Sequence, residues 1–149
     1  DDVRELLAST GFPGMKILQF AFYDDNSEYL PRCYTTENCV VYSGSHDADC
    51  TRTWHKNIQG PAEVRFAREC HRNIKQSRTY DVIELALSSK ANLAVIPIQD
   101  YLDLTNEEGR MNTPAIAEDN WNYRLSPRYN TPSLVKKVRD ITARNGRAK

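Results

Sequence analysis

Asn38-Cys39-Val40-Val41-Tyr42-Ser43-Gly44-Ser45-His46-Asp47-Ala48-Asp49 is the stretch on which the fold turns. Residues 38–42 (NCVVY) have strand length and strand composition, and they run straight into a Ser/Gly turn that carries a His-Asp pair. Two companions flank it, 15–22 (MKILQFAF) and 93–98 (LAVIPI). None of the three alternates cleanly between apolar and polar residues, the pattern of strands covered on both faces, as in parallel sheets. Helical periodicity fills the gap between the second and third runs. Residues 61–73 open with a first-turn proline and place Val64 and Ala67 on one face with His71. Residues 78–89 align Val82, Ile83, Ala86 and Leu87. A helix over 3–9 precedes the first run. A last helix begins at Thr131-Pro132, with Leu134, Val135, Val138 and Ile141 on one stripe.

This order predicts an α/β fold with parallel strands and right-handed helical crossovers, the middle run paired on both sides. The connection over 23–37 is long for such units, so it is expected to do more than link. Three strands are too few for a closed parallel barrel, which needs about eight. The sequence reads as part of a fold.

Composition narrows the function. Twenty Lys and Arg cancel twenty Asp and Glu in 149 residues, so no basic excess exists to displace counterions from phosphates. Nucleic-acid binding is excluded on that ground. Mean hydropathy is −0.67, and no apolar run approaches the ~20 residues of a membrane span. The acidic opening, Asp1-Asp2, is the reverse of a secretory leader, and a cytoplasmic protein is expected. The four cysteines (Cys33, Cys39, Cys50, Cys70) lack zinc-ribbon or thioredoxin spacing and read as reduced thiols, with Cys39 buried in the second run.

A His46-Asp47 pair just past the carboxyl end of a parallel strand sits where α/β folds build active sites. Aspartate there can bind sugar hydroxyls or stabilise positive charge in a transition state, with the imidazole donating to the same ligand. The competing reading is an Asx-turn capping the next helix, and local sequence does not separate the two. A metal site over 45–50 has one histidine and no established spacing, and Ser45 lacks the second glycine of a nucleophile elbow. Gly11-Phe12-Pro13-Gly14 imposes a tight turn, with Phe12 either pushed outward or packed in the core. Residues 109–114 and 119–124 bring Trp121, Tyr123, Asn112 and Arg124 into a loop suited either to a sugar surface or to a packed lid.

Four strings together resemble one family: GFPGMKILQFAF (11–22), YLPRCYTTENCVVYSGSHDADCTRTW (29–54), SSKANLAVIPIQDYL (88–102) and GRMNTPAIAEDNWNYRL (109–125). They resemble the C-terminal part of the amylomaltases, 4-α-glucanotransferases of the retaining α-glucan clan, over about residues 2–146. The resemblance implies a (β/α)8 TIM barrel of which this chain supplies about strands six to eight, as one catalytic-barrel segment without a second domain. It implies maltooligosaccharides and other α-1,4-glucans as substrates, and neither metal nor organic cofactor. The family's Thr-His-Asp-Asn-Asp string here reads Ser45-His46-Asp47-Ala48-Asp49. Asp47 is thereby the stabilising third carboxylate and His46 a substrate-binding imidazole. Phe12 matches an aromatic near the acceptor side, and Asn112 matches the Arg-Met-Asn string after strand eight. Ser45, Ala48 and Cys50 depart from the family's threonine, asparagine and threonine. The strings that carry the nucleophile and the acid/base residue are absent from these residues. The 149 residues alone are therefore expected to be inactive, their partner being the missing N-terminal part of the same enzyme. A non-catalytic glucan-binding or partner-docking remnant is the alternative.

Overall fold

The computed structural model describes residues 2–70 and 77–148. Strands β1 (Gly14–Ile17), β2 (Cys39–Tyr42) and β3 (Leu93–Val95) form one parallel sheet in that order, with β2 in the middle. Met15 faces Val40, and Tyr42 lies between Ile17 and Val95. The α/β reading with three adjacent parallel strands holds.

Two of the strands are shorter than their apolar runs. After Ile17 the chain turns into a 3-10 helix over Leu18–Tyr23. β2 ends at Tyr42, so residues beyond Ile17 have no ladder partner and satisfy their backbone groups locally. In the third run Pro97, which has no N–H to donate, caps helix α5 (Ile98–Tyr101) instead of extending the strand. The expectation of strands covered on both faces is also corrected. Cys39 and Val41 point into the helical layer with Ala94 against them. On the other face Met15, Leu93 and Val95 are 59%, 54% and 40% exposed.

Helix α1 (Asp2–Thr10) precedes β1; α2 (Thr51–Asn57), α3 (Pro61–Glu69) and α4 (Arg78–Ser88) lie between β2 and β3. α6 (Asn106–Gly109) and α7 (Pro132–Arg144) follow α5. The main core joins Leu18, Phe22, Val41, Trp54, Phe66 and Val82. Its centre is an aromatic triangle, with centroids 5.6 Å apart for Phe22–Trp54, 5.3 Å for Phe22–Phe66 and 5.9 Å for Trp54–Phe66. That triangle decides the orientation of α3. The buried face is Ala62 and Phe66, while Val64 is 69% exposed and Ala67 is exposed too. The expected continuation of α3 through 71–73, with His71, lies outside the described residues.

On α4 the expected stripe of Val82, Ile83, Ala86 and Leu87 is buried throughout. On α7 Ile141 is buried, Leu134 and Val138 are half-buried, and Val135 is exposed. The long connection after β1 is a packed segment. It inserts Leu30 and Tyr34 into the core, and Glu28 accepts a hydrogen bond from Lys16 Nζ at 2.7 Å. Its Asp25 accepts from Arg65 at 3.0 Å and Arg68 at 2.7 Å; these bonds draw the carboxyl down to about 2.

Candidate functional site

Because the strands are parallel, the carboxyl ends of β1, β2 and β3 share one rim, and the loop after β2 rises there. Ser43 is buried, and Gly44 passes so close to Gln19 that an added Cβ would lie 2.6 Å from its amide nitrogen. Ala48 N–H closes a turn onto the Ser45 carbonyl at 3.1 Å. This turn leaves the His46 and Asp47 side chains 57% and 51% exposed, open to a ligand. His46 Nε2 stands 3.2 Å from Asp47 Oδ2. The other carboxylate oxygen, Oδ1, accepts a hydrogen bond from Asn112 Nδ2 at 2.6 Å. Asp47 does not cap α2: that helix takes its first-turn carboxylate from Asp100, which accepts from Thr51 N–H at 3.1 Å.

Trp121 completes this corner. The chain folds back through Thr113 N–H donating to Asn120 Oδ1 at 2.7 Å and Trp121 N–H donating to the Met111 carbonyl at 2.7 Å. The indole then lies 5.2 Å from the His46 ring. Trp121 takes a φ of +61° to get there, left-handed backbone that a bulky residue adopts only when its surroundings impose it.

Beneath the exposed pair lies a cavity of about 250 Å³, with Gly44, Asp49, Asp100, Arg110 and Met111 in its wall. A second hollow of about 540 Å³ runs from His46 and Asp47 over Tyr42, Met15 and Val95 on the open sheet face. Cys50 belongs to the first wall, but burial, with Asp100 and Asp49 adding to it, pushes its thiol up to about 12. It is therefore a poor nucleophile or metal ligand. The four cysteines are not joined in disulfides, and among the described residues no three His, Cys, Asp or Glu side chains converge as a metal site. No helix among them is long and apolar enough to cross a membrane.

The structure brings His46, Asp47 and Asn112 together, and Phe12 stands apart. Phe12 is 70% exposed beside β1's amino end, where a separate hollow of about 400 Å³ includes Arg4, Lys16 and Asn38. Sequence reasoning gave no role to Phe20, a half-exposed ring just past the carboxyl end of β1 that meets Tyr29 edge-on at 5.8 Å. It weighed Asp49 only as a metal ligand and Arg110 only as part of the 109–114 loop, and it gave no role to Asp100 or Asn106; these four brace the loop. Asn106 Nδ2 donates to Asp49 Oδ1 at 2.8 Å, and Asn106 Oδ1 accepts from Cys50 N–H at 2.8 Å. The available signal was the second aspartate of the Ser45–Asp49 string, a further carboxylate directly ahead of the cap of α2.

A family profile described as 4-alpha-glucanotransferase matches residues 1–131. The 4-alpha-glucanotransferase of Clostridium butyricum is 38% identical over 149 residues, covering 99% of this chain and 30% of the relative. The chloroplastic/amyloplastic 4-alpha-glucanotransferase of Solanum tuberosum is 36% identical over 151 residues, covering 99% and 26%. The amylomaltase from Streptococcus agalactiae, solved in complex with acarbose, superposes with a TM-score of 0.93 at 30% identity. That superposition covers all of this chain and 30% of the amylomaltase. The chain thus spans under a third of the length of these relatives. It belongs to the 4-alpha-glucanotransferase family.

Proposed function

We propose that this chain is the part of a 4-α-glucanotransferase catalytic barrel formed by strands six to eight, and that it contributes the third carboxylate, Asp47. The observation that carries the reading is the pairing of Asp47 with Asn112 and His46 on the rim at the carboxyl ends of the strands. The family profile and the acarbose-bound relative support α-1,4-glucans as the substrates.

In the proposed reaction an enzyme carboxylate attacks C1 of the donor glucan, and the α-1,4 bond breaks as a second carboxyl group protonates the departing 4-oxygen. The 4-hydroxyl of an acceptor glucan then displaces the enzyme ester, returning its proton to the acid/base residue. Retention requires those two carboxyl groups about 5–5.5 Å apart. The family strings that carry them do not occur in these 149 residues, so the reading assigns both to chain outside them. Asp47 holds donor-ring hydroxyls and favours the oxocarbenium-like state through its charge. His46 donates to the same ring, and Trp121 offers it a flat surface. The reaction as proposed runs on carboxyl groups without a cofactor. Phe12, at the other ends of the strands, is left outside this subsite.

The test has two arms. The purified chain should not convert maltotriose to glucose and longer dextrins, because it lacks the nucleophile. In a full-length enzyme carrying this segment, Asp47→Asn should lower kcat by at least about a hundredfold with a smaller change in KM. Turnover by the chain alone, or near-normal kcat in that variant, overturns the assignment.

A further inference from the structure

We infer that Arg110 is a positioning residue that aims the Asn112 amide at Asp47. The inference rests on the reading of Asp47 given above. Arg110 stands at the junction of two loops that come from different strands. Its Nη1 donates to Asp49 Oδ1, in the loop after β2, and its Nε donates to the backbone carbonyl of Asn112 at 3.0 Å. Asn112 in turn donates from Nδ2 to Asp47 Oδ1. The chain of contacts thus closes on itself: Asp47 and Asp49 lie two residues apart in one loop, and Arg110 and Asn112 lie two residues apart in the other.

Each member has a reason to be what it is. Asp49 is kept in place by Asn106 Nδ2 at 2.8 Å and by Gln19 Nε2, which donates to its backbone carbonyl at 2.9 Å. It is therefore a fixed anchor for the guanidinium. A planar fork can serve a carboxylate and a carbonyl at once, which the single nitrogen of lysine does not do with the same geometry. Holding the Asn112 carbonyl restrains the peptide plane after its Cα and so the direction in which the Cα–Cβ bond leaves the backbone toward Asp47. Asn112 then occupies one lone-pair site on Asp47 Oδ1 and His46 Nε2 stands at Oδ2, which leaves the remaining sites for hydroxyl donors, since a carboxylate offers about four. Displacement of a polar group by about 1 Å is enough to cost a large factor in rate, so a rigid aim has value here.

A merely structural staple makes a different prediction from a positioning residue, and Arg110→Lys separates them. Lysine keeps the ion pair with Asp49, so the melting temperature of the 149-residue chain should stay near wild type. The Asn112 side-chain amide, followed by ¹⁵N NMR, should exchange with water about tenfold faster, as it should in Asp47→Ala. Arg110→Lys combined with Asp47→Ala should add nothing further. An Arg110→Lys chain whose Asn112 amide exchanges as in wild type overturns the inference, and so does an Asp47→Ala chain in which that amide is unaffected. In a full-length enzyme carrying the segment, Arg110→Lys should reduce kcat about tenfold with KM within about twofold. If the wild-type full-length enzyme transfers no glucan, the functional reading fails while the amide result stands. If Asp47→Asn abolishes transfer and Arg110→Lys does not alter kcat, only the present inference fails.

Discussion

At the scale of single residues, Asp100 has most to do with the shape of the site. Its carboxylate, 3% exposed, accepts from Ser43 Oγ, Thr51 Oγ1 and Thr51 N–H, so it ties both ends of the loop bearing His46 and Asp47. Burial raises its pKa above the ordinary 3.8 despite those donors. Asp100→Ala leaves buried donors unpaired and should destabilise the chain by about 2–4 kcal/mol in urea unfolding. Asp100→Asn should be nearly neutral, because the two hydroxyls can rotate to accept from its amide. The pH dependence has a definite sign. A raised carboxyl pKa adds stability below its unfolded value and loses it as pH rises through the folded value. Wild type should therefore gain on Asp100→Asn as pH falls toward 4, and a constant difference between their melting temperatures would contradict this.

At the scale of elements, α7 secures α4 through its own ending. Gly146, at a φ of +70°, donates to the Ala143 carbonyl at 3.0 Å, and Arg147 N–H reaches back to Thr142 at 3.1 Å. This is the paired-bond helix ending that favours glycine. It turns the Arg147 guanidinium onto the carbonyls of Leu87 (2.6 Å), Ser89 (2.8 Å) and Ala91 (2.7 Å), which leave α4 and lead toward β3. Arg147→Met should cost about 2 kcal/mol, because three carbonyls lose a charged donor. Gly146→Ala should cost about 1 kcal/mol through the left-handed backbone alone. If the glycine acts by aiming the arginine, the double variant will be less destabilised than the sum, as a double-mutant cycle can measure.

At the scale of the whole molecule, the helices among the described residues cover only one side of the sheet. Register puts Met15, Ile17, Val40, Tyr42, Leu93 and Val95 on the other side, and both β1 and β3 are edges of the sheet. Apolar patches and free strand edges of this kind favour association. The isolated chain should bind the dye ANS and elute from size exclusion at a volume that depends on concentration. Met15→Lys with Leu93→Lys should weaken both effects, whereas Val64→Lys, on the exposed side of α3, should not. Equal responses from the two variants would place the sticky surface elsewhere.

Much of this was legible in the residues themselves. The order of the three strands with α1, α3, α4 and α7, the buried stripe of α4 and the Thr131 cap of α7, whose hydroxyl accepts from Leu134 N–H at 3.2 Å, follow from patterns a few residues long; the short helices α2, α5 and α6 do not. The His46-Asp47 turn past the strand end was local as well. Strand length was not, since it depends on where the neighbouring strand stops: 15–22 keeps its ladder only to Ile17 because β2 ends at Tyr42. The buried face of α3 was decided by Phe66 meeting Phe22 and Trp54. The bracing of the site was beyond local reading for the same reason. Asp100 meets Thr51 across 49 residues, and Asn112 meets Asp47 across 65. Local pattern reports which residues form strands and turns. Only the parallel pairing of β2 with β3, after a long helical crossover, brings those turns within hydrogen-bond distance.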